Sequence, residues 1–171
     1  MLAFTPDGHV LVTDGPRYSL RLWNVTDRAH PAALGDPLTG HISSIHWAGV
    51  SPDGHALAST SEDDRVRLWD IRDAMHPRAL PDIHTGDTGG TLWCAFSPDG
   101  RLLATAAVGH DVRLWNVSSP AHASALGKPL TEHTAPVTWA GFSADGHTLA
   151  TAGEDRTVLL WDVTEPASPL R

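Results

Sequence analysis

The side chains able to bind metals or move protons in this sequence are histidines, carboxylates and one thiol. Eleven histidines are spread over 171 residues, and imidazole is both a common metal ligand and a base that titrates near neutrality. A zinc site needs three or four donors converging at about 2 Å from the ion, so histidine spacing decides that reading. Cys94, the only cysteine, would need a stabilised thiolate to act as a nucleophile. Alone, it supports neither an internal disulfide framework nor a Cys-rich zinc site. Asp63 and Asp64 are adjacent carboxylates, while Asp53, Asp99 and Asp145 each precede a glycine. No glycine-rich phosphate loop is present. Asn24-Val25-Thr26 and Asn116-Val117-Ser118 match the glycosylation acceptor pattern, which has meaning only in a secreted chain.

The elements that must carry these residues follow from the tryptophans. There are seven, against one tyrosine and three phenylalanines. Trp23, Trp69, Trp115 and Trp161 are each 46 apart, and so are Trp47, Trp93 and Trp139. Met1 falls in register with the second ladder. A turn signal keeps the same period: Thr5-Pro6-Asp7-Gly8, Ser51-Pro52-Asp53-Gly54, Ser97-Pro98-Asp99-Gly100 and Ser143-Ala144-Asp145-Gly146. Residues 41–70 and 133–162 share sixteen identities in thirty positions without a gap. The chain is a tandem repeat, and the repeat governs every other reading.

Within one period the signals are those of strands. Leu57-Ala58-Ser59-Thr60 and Val66-Arg67-Leu68-Trp69 are short stretches bounded by turn residues. In the Pro-Asp-Gly element, Pro presets φ, Asp bonds nearby backbone and Gly tolerates positive φ. No segment keeps a helical period. In the second copy, strand a is expected near residues 45–50, b near 55–60, c near 65–70 and d near 78–84. One four-stranded sheet cannot bury both its faces alone, so successive copies must stack.

The period also sorts the candidate chemistry. His9, His55 and His147 share one position after the turn, and His30, His76 and His122 share another after strand c. Ligands that repeat in this way land on different sheets and cannot converge. Only His46, His84 and His110 fall outside these patterns and outside the one described next. Cys94 aligns with Ala48 and Ala140, which makes it a small buried strand residue. No metal site, catalytic residue or cofactor is expected.

Gly40-His41, Ser51-Pro52-Asp53-Gly54, Leu57-Ala58-Ser59, Asp63 and Val66-Arg67-Leu68-Trp69-Asp70 together resemble a WD40 repeat of the β-propeller family, over essentially the whole chain. The resemblance implies an all-β fold of four-stranded antiparallel blades, about four of them. Their expected spans are 1–40, 41–86, 87–132 and 133–171, the last lacking most of strand d. It also implies a structural hydrogen-bond network of His41, Ser59, Asp63 and Trp69, repeated as His133, Thr151, Asp155 and Trp161. Asp64 then reads as a solvated neighbour of Asp63. The third copy keeps Thr105 and Trp115 but has Asp87 and Gly109 where the pattern has His and Asp. The first keeps Thr13 and Trp23, with Arg17 in place of the Asp. Those two blades are expected to be more loosely held.

Arg171 aligns with Ala125 in strand d, and the stretch equivalent to Leu126–Thr138 is missing from the fourth copy. Three readings of the array stay open: part of a longer propeller, a ring completed by a second copy, or a small closed propeller. In this family, ligands often dock where the loop before strand a and the b–c turn emerge. Here those positions are Ser44, His46 and Glu62; then Gly90, Leu92 and Val108; then Pro136, Thr138 and Glu154.

Composition narrows the partners. Twelve basic against twenty acidic residues give a net charge of −8, which argues against nucleic acid. No apolar run of roughly eighteen residues offers a membrane span, and Met1-Leu2-Ala3-Phe4-Thr5-Pro6 carries no signal-peptide pattern. The sequence therefore points to a cytoplasmic, non-enzymatic scaffold that binds proteins or peptides. The single lysine, Lys128, and linkers such as Arg28-Ala29-His30-Pro31 point to a high-GC bacterial source. Similar bacterial arrays are attached to NTPases, kinases or transcriptional regulators, so a regulatory segment of a signalling protein is the alternative. A hydrolytic propeller would need polar residues converging on the channel, and the repeat supplies no such set.

Overall fold

Four antiparallel sheets follow one another along the chain. The computed structural model describes residues 2–86 and 90–170; Met1, Asp87 and Arg171 lie outside the described residues. The first sheet holds β1 (Leu2–Phe4), β2 (Val10–Gly15), β3 (Ser19–Asn24) and β4 (Ala32–Leu38) in that order. The second holds β5 (Ile45–Val50), β6 (Ala56–Ser61), β7 (Arg65–Asp70) and two short pieces, β8 (Arg78–Ala79) and β9 (Ile83–His84), that both pair with β7. The third contains β10 (Thr91–Phe96), β11 (Leu102–Ala107), β12 (Val112–Asn116) and β13 (Ser124–Leu130). The fourth contains β14 (Val137–Phe142), β15 (Thr148–Gly153) and β16 (Val158–Asp162), with an isolated bridge from Asp162 to Leu170. Apart from a single 3₁₀ turn at Pro120–His122, no helix occurs among the described residues.

Each a–b hairpin is closed by the same local chemistry. The Ser51 hydroxyl donates to Asp53 Oδ1 at 2.5 Å, and the backbone N–H of His55 donates to that same oxygen at 2.9 Å. The Ala56 N–H donates back to Ser51 Oγ at 2.8 Å. Equivalent bonds recur at Thr5–Asp7, Ser97–Asp99 and Ser143–Asp145. Gly54 closes the turn at φ +76°, which an L side chain resists. Strand a carries a register shift just before its tryptophan in the last three sheets, between Ile45 and Trp47, Thr91 and Trp93, and Val137 and Trp139.

The span near 78–84 forms no single strand, and this corrects the sequence reading. In the first and third sheets a glycine interrupts the outer strand, Gly35 at φ +54° and Gly127 at φ +61°. Its bulge keeps the strand paired on either side. The second sheet has Pro81 there. Proline cannot take a positive φ and has no N–H for the ladder, so pairing stops at Ala79 and resumes at Ile83.

The core consists of three apolar layers, each shared by consecutive sheets. Val12, Leu20, Leu22 and Leu38 meet Ala48, Leu57, Trp69 and Ile71. Ala58, Val66, Leu68 and Ile83 meet Cys94, Leu103, Trp115 and Val117. Trp93, Val112 and Leu114 meet Ala140, Leu149, Trp161 and Val163. Because it lies between two such layers, β6 is buried at every position. Each buried Leu or Val contributes about 1.5–3 kcal/mol of transfer free energy. No apolar cluster joins the first sheet to the fourth among the described residues. The array is an open arc of propeller blades.

Candidate functional site

In the second sheet, four side chains form one directed chain of hydrogen bonds. Asp63 Oδ2 lies 2.8 Å from His41 Nδ1, and His41 Nε2 lies 2.9 Å from Ser59 Oγ. Trp69 Nε1–H donates to Ser59 Oγ at 3.3 Å. An ionised Asp63 only accepts, which puts the ring proton on Nδ1 and leaves Nε2 to accept from the Ser59 hydroxyl. The backbone N–H groups of Ile42 and Arg65 also donate to Asp63, at 3.1 and 3.2 Å. Burial opposes ionisation of Asp63, but the His41 and backbone donors outweigh it and hold the carboxyl below its ordinary range. Burial pushes the His41 ring below its ordinary value, against the pull of Asp63.

The fourth sheet repeats the arrangement. His133 bridges Asp155 and Thr151, at 2.8 Å on each side, and Trp161 Nε1–H donates to Thr151 Oγ1 at 3.0 Å. Thr157 and the Thr134 N–H donate to Asp155 and, with His133, lower its pKa strongly. Among the described residues of the first and third sheets, only the last link is present. Trp23 donates to Thr13 and Trp115 to Thr105, each at 2.9 Å. Gly109 and Arg17 are exposed at the Asp position.

An Asp–His–Ser relay with these distances is also the geometry of a hydrolytic triad. Access separates the two cases. Ser59 and Thr151 are fully buried and already accept from a tryptophan N–H, so no dissolved substrate can reach their oxygens. Cys94 is equally buried, and burial pushes its thiol pKa up. His9, His55 and His147 are exposed on separate sheets, as are His30, His76 and His122. No group of three or more metal-ligating side chains converges among the described residues.

The loop positions are organised by a repeated backbone bond. The Glu62 N–H donates to the Ser44 carbonyl at 3.1 Å, Val108 to Gly90 at 3.1 Å and Glu154 to Pro136 at 2.9 Å. Ser44, Glu62, Thr138 and Glu154 are exposed there, and His46, Leu92 and Val108 are half-buried. His46 Nε2 stands 3.5 Å from Glu62 Oε1, which also accepts from Ser43 through Oε2 at 2.8 Å. Thr138 donates to the Ala152 carbonyl at 3.4 Å. The edge therefore presents an acidic, hydrogen-bonded cluster on the second sheet, an apolar surface on the third and an acidic one on the fourth.

Two contacts at this edge escape sequence reasoning. Asp64 is engaged with the next sheet, since its Oδ1 accepts from the Gly90 N–H at 2.7 Å; it is no merely solvated neighbour of Asp63. Gly90, at φ +93°, backs so closely on Glu62 that a Cβ there would lie 2.8 Å from the Glu62 Cα. Arg65 and Arg67 both clamp Asp82 at 3.0 Å, and Arg67 donates to the Gly40 carbonyl at 2.8 Å. Asp82 lies in the gap between β8 and β9, where the outer strand departs from the pattern of the first and third sheets.

A family model described as WD domain, G-beta repeat matches residues 34–70, 81–116 and 125–162. No curated protein matches the chain.

Proposed function

Since the chain belongs to the WD40 repeat family, we propose that it acts as a non-enzymatic scaffold that binds proteins or peptides through the edge formed by Ser44, His46, Glu62, Leu92, Val108, Thr138 and Glu154. WD40 repeats generally mediate protein–protein interaction, and such domains are typically non-enzymatic. One observation carries the choice of edge. Three equivalent loop pairs are pinned by the same backbone hydrogen bond, yet their side chains differ from sheet to sheet. A rigid frame with variable side chains recognises by shape and charge and performs no bond chemistry. The acidic members, Glu62 and Glu154, suit a partner carrying basic residues between apolar ones, with Leu92 and Val108 supplying the apolar contact.

The test is a quantitative pull-down with the chain and with Glu62→Lys/Glu154→Lys. Proteins retained by the parent chain and lost from the double variant, at unchanged melting temperature, support the edge. An identical set of retained proteins removes it.

A further inference from the structure

At the end of the sheets that carries the a–b turns, two neighbouring seams can be compared position by position. Between the second and third sheets, Ala56, Asp70, Arg72, Leu80 and Pro120 line a hollow of about 230 Å³. Leu102, Asn116, Ser118, Leu126 and Pro166, each 46 positions further on, line its counterpart between the third and fourth sheets. That counterpart measures about 530 Å³. In both, the following sheet contributes the turn after its strand c, through Ser119, Pro120 and Ala121 or through Glu165, Pro166 and Ala167. Among the described residues, neither hollow has a wall from that sheet's outer strand.

What differs is an arginine. At the earlier seam Arg72 pairs with Asp70 at two points, Nε with Oδ1 at 3.0 Å and Nη2 with Oδ2 at 2.6 Å. This is the planar fork that a guanidinium makes with a carboxylate. At the later seam Ser118 stands in place of Arg72 and Asn116 in place of Asp70. The hollow there is more than twice as large, although Leu102 replaces the smaller Ala56.

The walls of the larger hollow still suit a guanidinium. Leu102, Leu126 and Pro166 offer apolar surface to a methylene stem. Glu165 takes the place of Ser119. An adjoining hollow of about 540 Å³, which shares Arg101, Leu102 and Pro166, adds Asp99 and Asp145. The Ser97 and Ser143 hydroxyls hold those two carboxyls below their ordinary range, so both are charged at neutral pH. Their second oxygens are loosely engaged: Asp99 Oδ2 is 4.0 Å from Arg101 Nε, and Asp145 Oδ2 is 3.9 Å from His147 Nδ1. Three carboxylates thus face one guanidinium, that of Arg101, whose side chain is 77% exposed and free to turn into solvent. The excess of negative charge repels a bound anion and draws a bound cation.

We propose that the hollow between the third and fourth sheets receives an arginine side chain from a partner protein, in the place that Arg72 fills at the preceding seam. This surface lies at the opposite end of the strands from Ser44, Glu62 and Glu154. It is a second contact, independent of the loop-edge reading.

The probe is N-acetyl-arginine amide, titrated into the isotope-labelled 171-residue chain and followed by amide NMR shifts. Saturable shifts are expected at Leu102, Ser118 and Ala167, half complete at about 1 mM, an affinity open to a ligand of this size. N-acetyl-citrulline amide keeps the shape without the charge and should bind about tenfold more weakly. Asn116→Asp/Ser118→Arg builds the internal pair of the preceding seam and should abolish the shifts. Should that variant lose its β-sheet spectrum, Glu165→Gln, on an exposed side chain, should weaken binding severalfold. A parent chain without saturable shifts overturns the proposal. So does equal binding of the citrulline probe, or undiminished binding by whichever variant serves. Shifts of equal affinity around Glu62 and Glu154 also overturn it, since they would reflect the general pull of an acidic surface.

Discussion

The Nδ1 of His41 lies 2.8 Å from Oδ2 of Asp63, with both side chains sealed from solvent. The loop before β5 and the b–c turn of the same blade are tied there by buried side chains, in addition to the Glu62–Ser44 backbone bond at the edge. Removing the carboxylate strands a buried imidazole and two backbone donors. Asp63→Ala should therefore cost about 1.5–3 kcal/mol in urea unfolding, as expected for hydrogen bonds to a charged group. A loss under about 0.5 kcal/mol, the size of an ordinary surface substitution, would mean that the pair carries no stability.

The same pair sets a pH dependence with a definite sign. The His41 pKa is depressed below 6.5 in the folded chain, so the unfolded chain takes up the proton first as pH falls. Stability is then full above 6.5 and declines below it. Asp63 and Asp155 are also depressed below 3.8; their contribution is present above that value and is lost as pH falls further. The urea midpoint should drop from pH 7 to pH 5 and drop again below pH 4. A midpoint that rises between pH 7 and pH 5 would contradict the buried neutral imidazole.

Hydrogen exchange should separate two interior blades. The hairpin of β6 and β7 is braced by His41, Ser59, Asp63 and Trp69, whereas among the described residues that of β11 and β12 keeps the Thr105–Trp115 bond alone of that network. Amides of β11 and β12 should exchange about tenfold faster, a difference of about 1.4 kcal/mol in opening. Equal protection of the two hairpins would show that the shared apolar layers alone set local stability.

Glycine has unequal roles in this chain. A methyl group on Gly127, at φ +61°, would run into the Ala167 carbonyl oxygen, so Gly127→Ala should destabilise by about 1–3 kcal/mol. Gly109 has nothing within 4 Å, and Gly109→Ala should stay within about 0.5 kcal/mol of the parent. Thermal melts of the two variants decide the point. If both fell equally, the Gly127 bulge would not be what seats the outer strand on the next blade.

Most of the fold was legible in the sequence because its signals lie within one period. Trp69 and the Ser51–Gly54 turn bracket β6 and β7, and β5 runs over Ile45–Val50. The break in the outer strand at Pro81 was overlooked because the apolar and polar positions around that proline still suit a strand. The Asp64–Gly90 bond was illegible for a different reason. Register places a residue within its own blade but says nothing about the neighbouring blade it touches. The His41 and His133 relays were expected from the family resemblance alone, and every partner in them lies in the same blade. The clamp of Arg65 and Arg67 on Asp82 sits in an outer strand whose pairing is offset by one residue from that of the first and third sheets, which the repeat register does not disclose.

The three apolar layers have a bearing on how such a chain changes length. No blade owns a core; each core belongs to a boundary. Excising residues 87–132 would bring Val66 and Leu68 against Leu149 and Trp161, the same kinds of side chain that Val66 and Leu68 meet at Leu103 and Trp115. Duplicating one period adds a boundary of the same composition. The heritable unit is thus the seam between two blades, and lineages can gain or lose copies without designing a new interior.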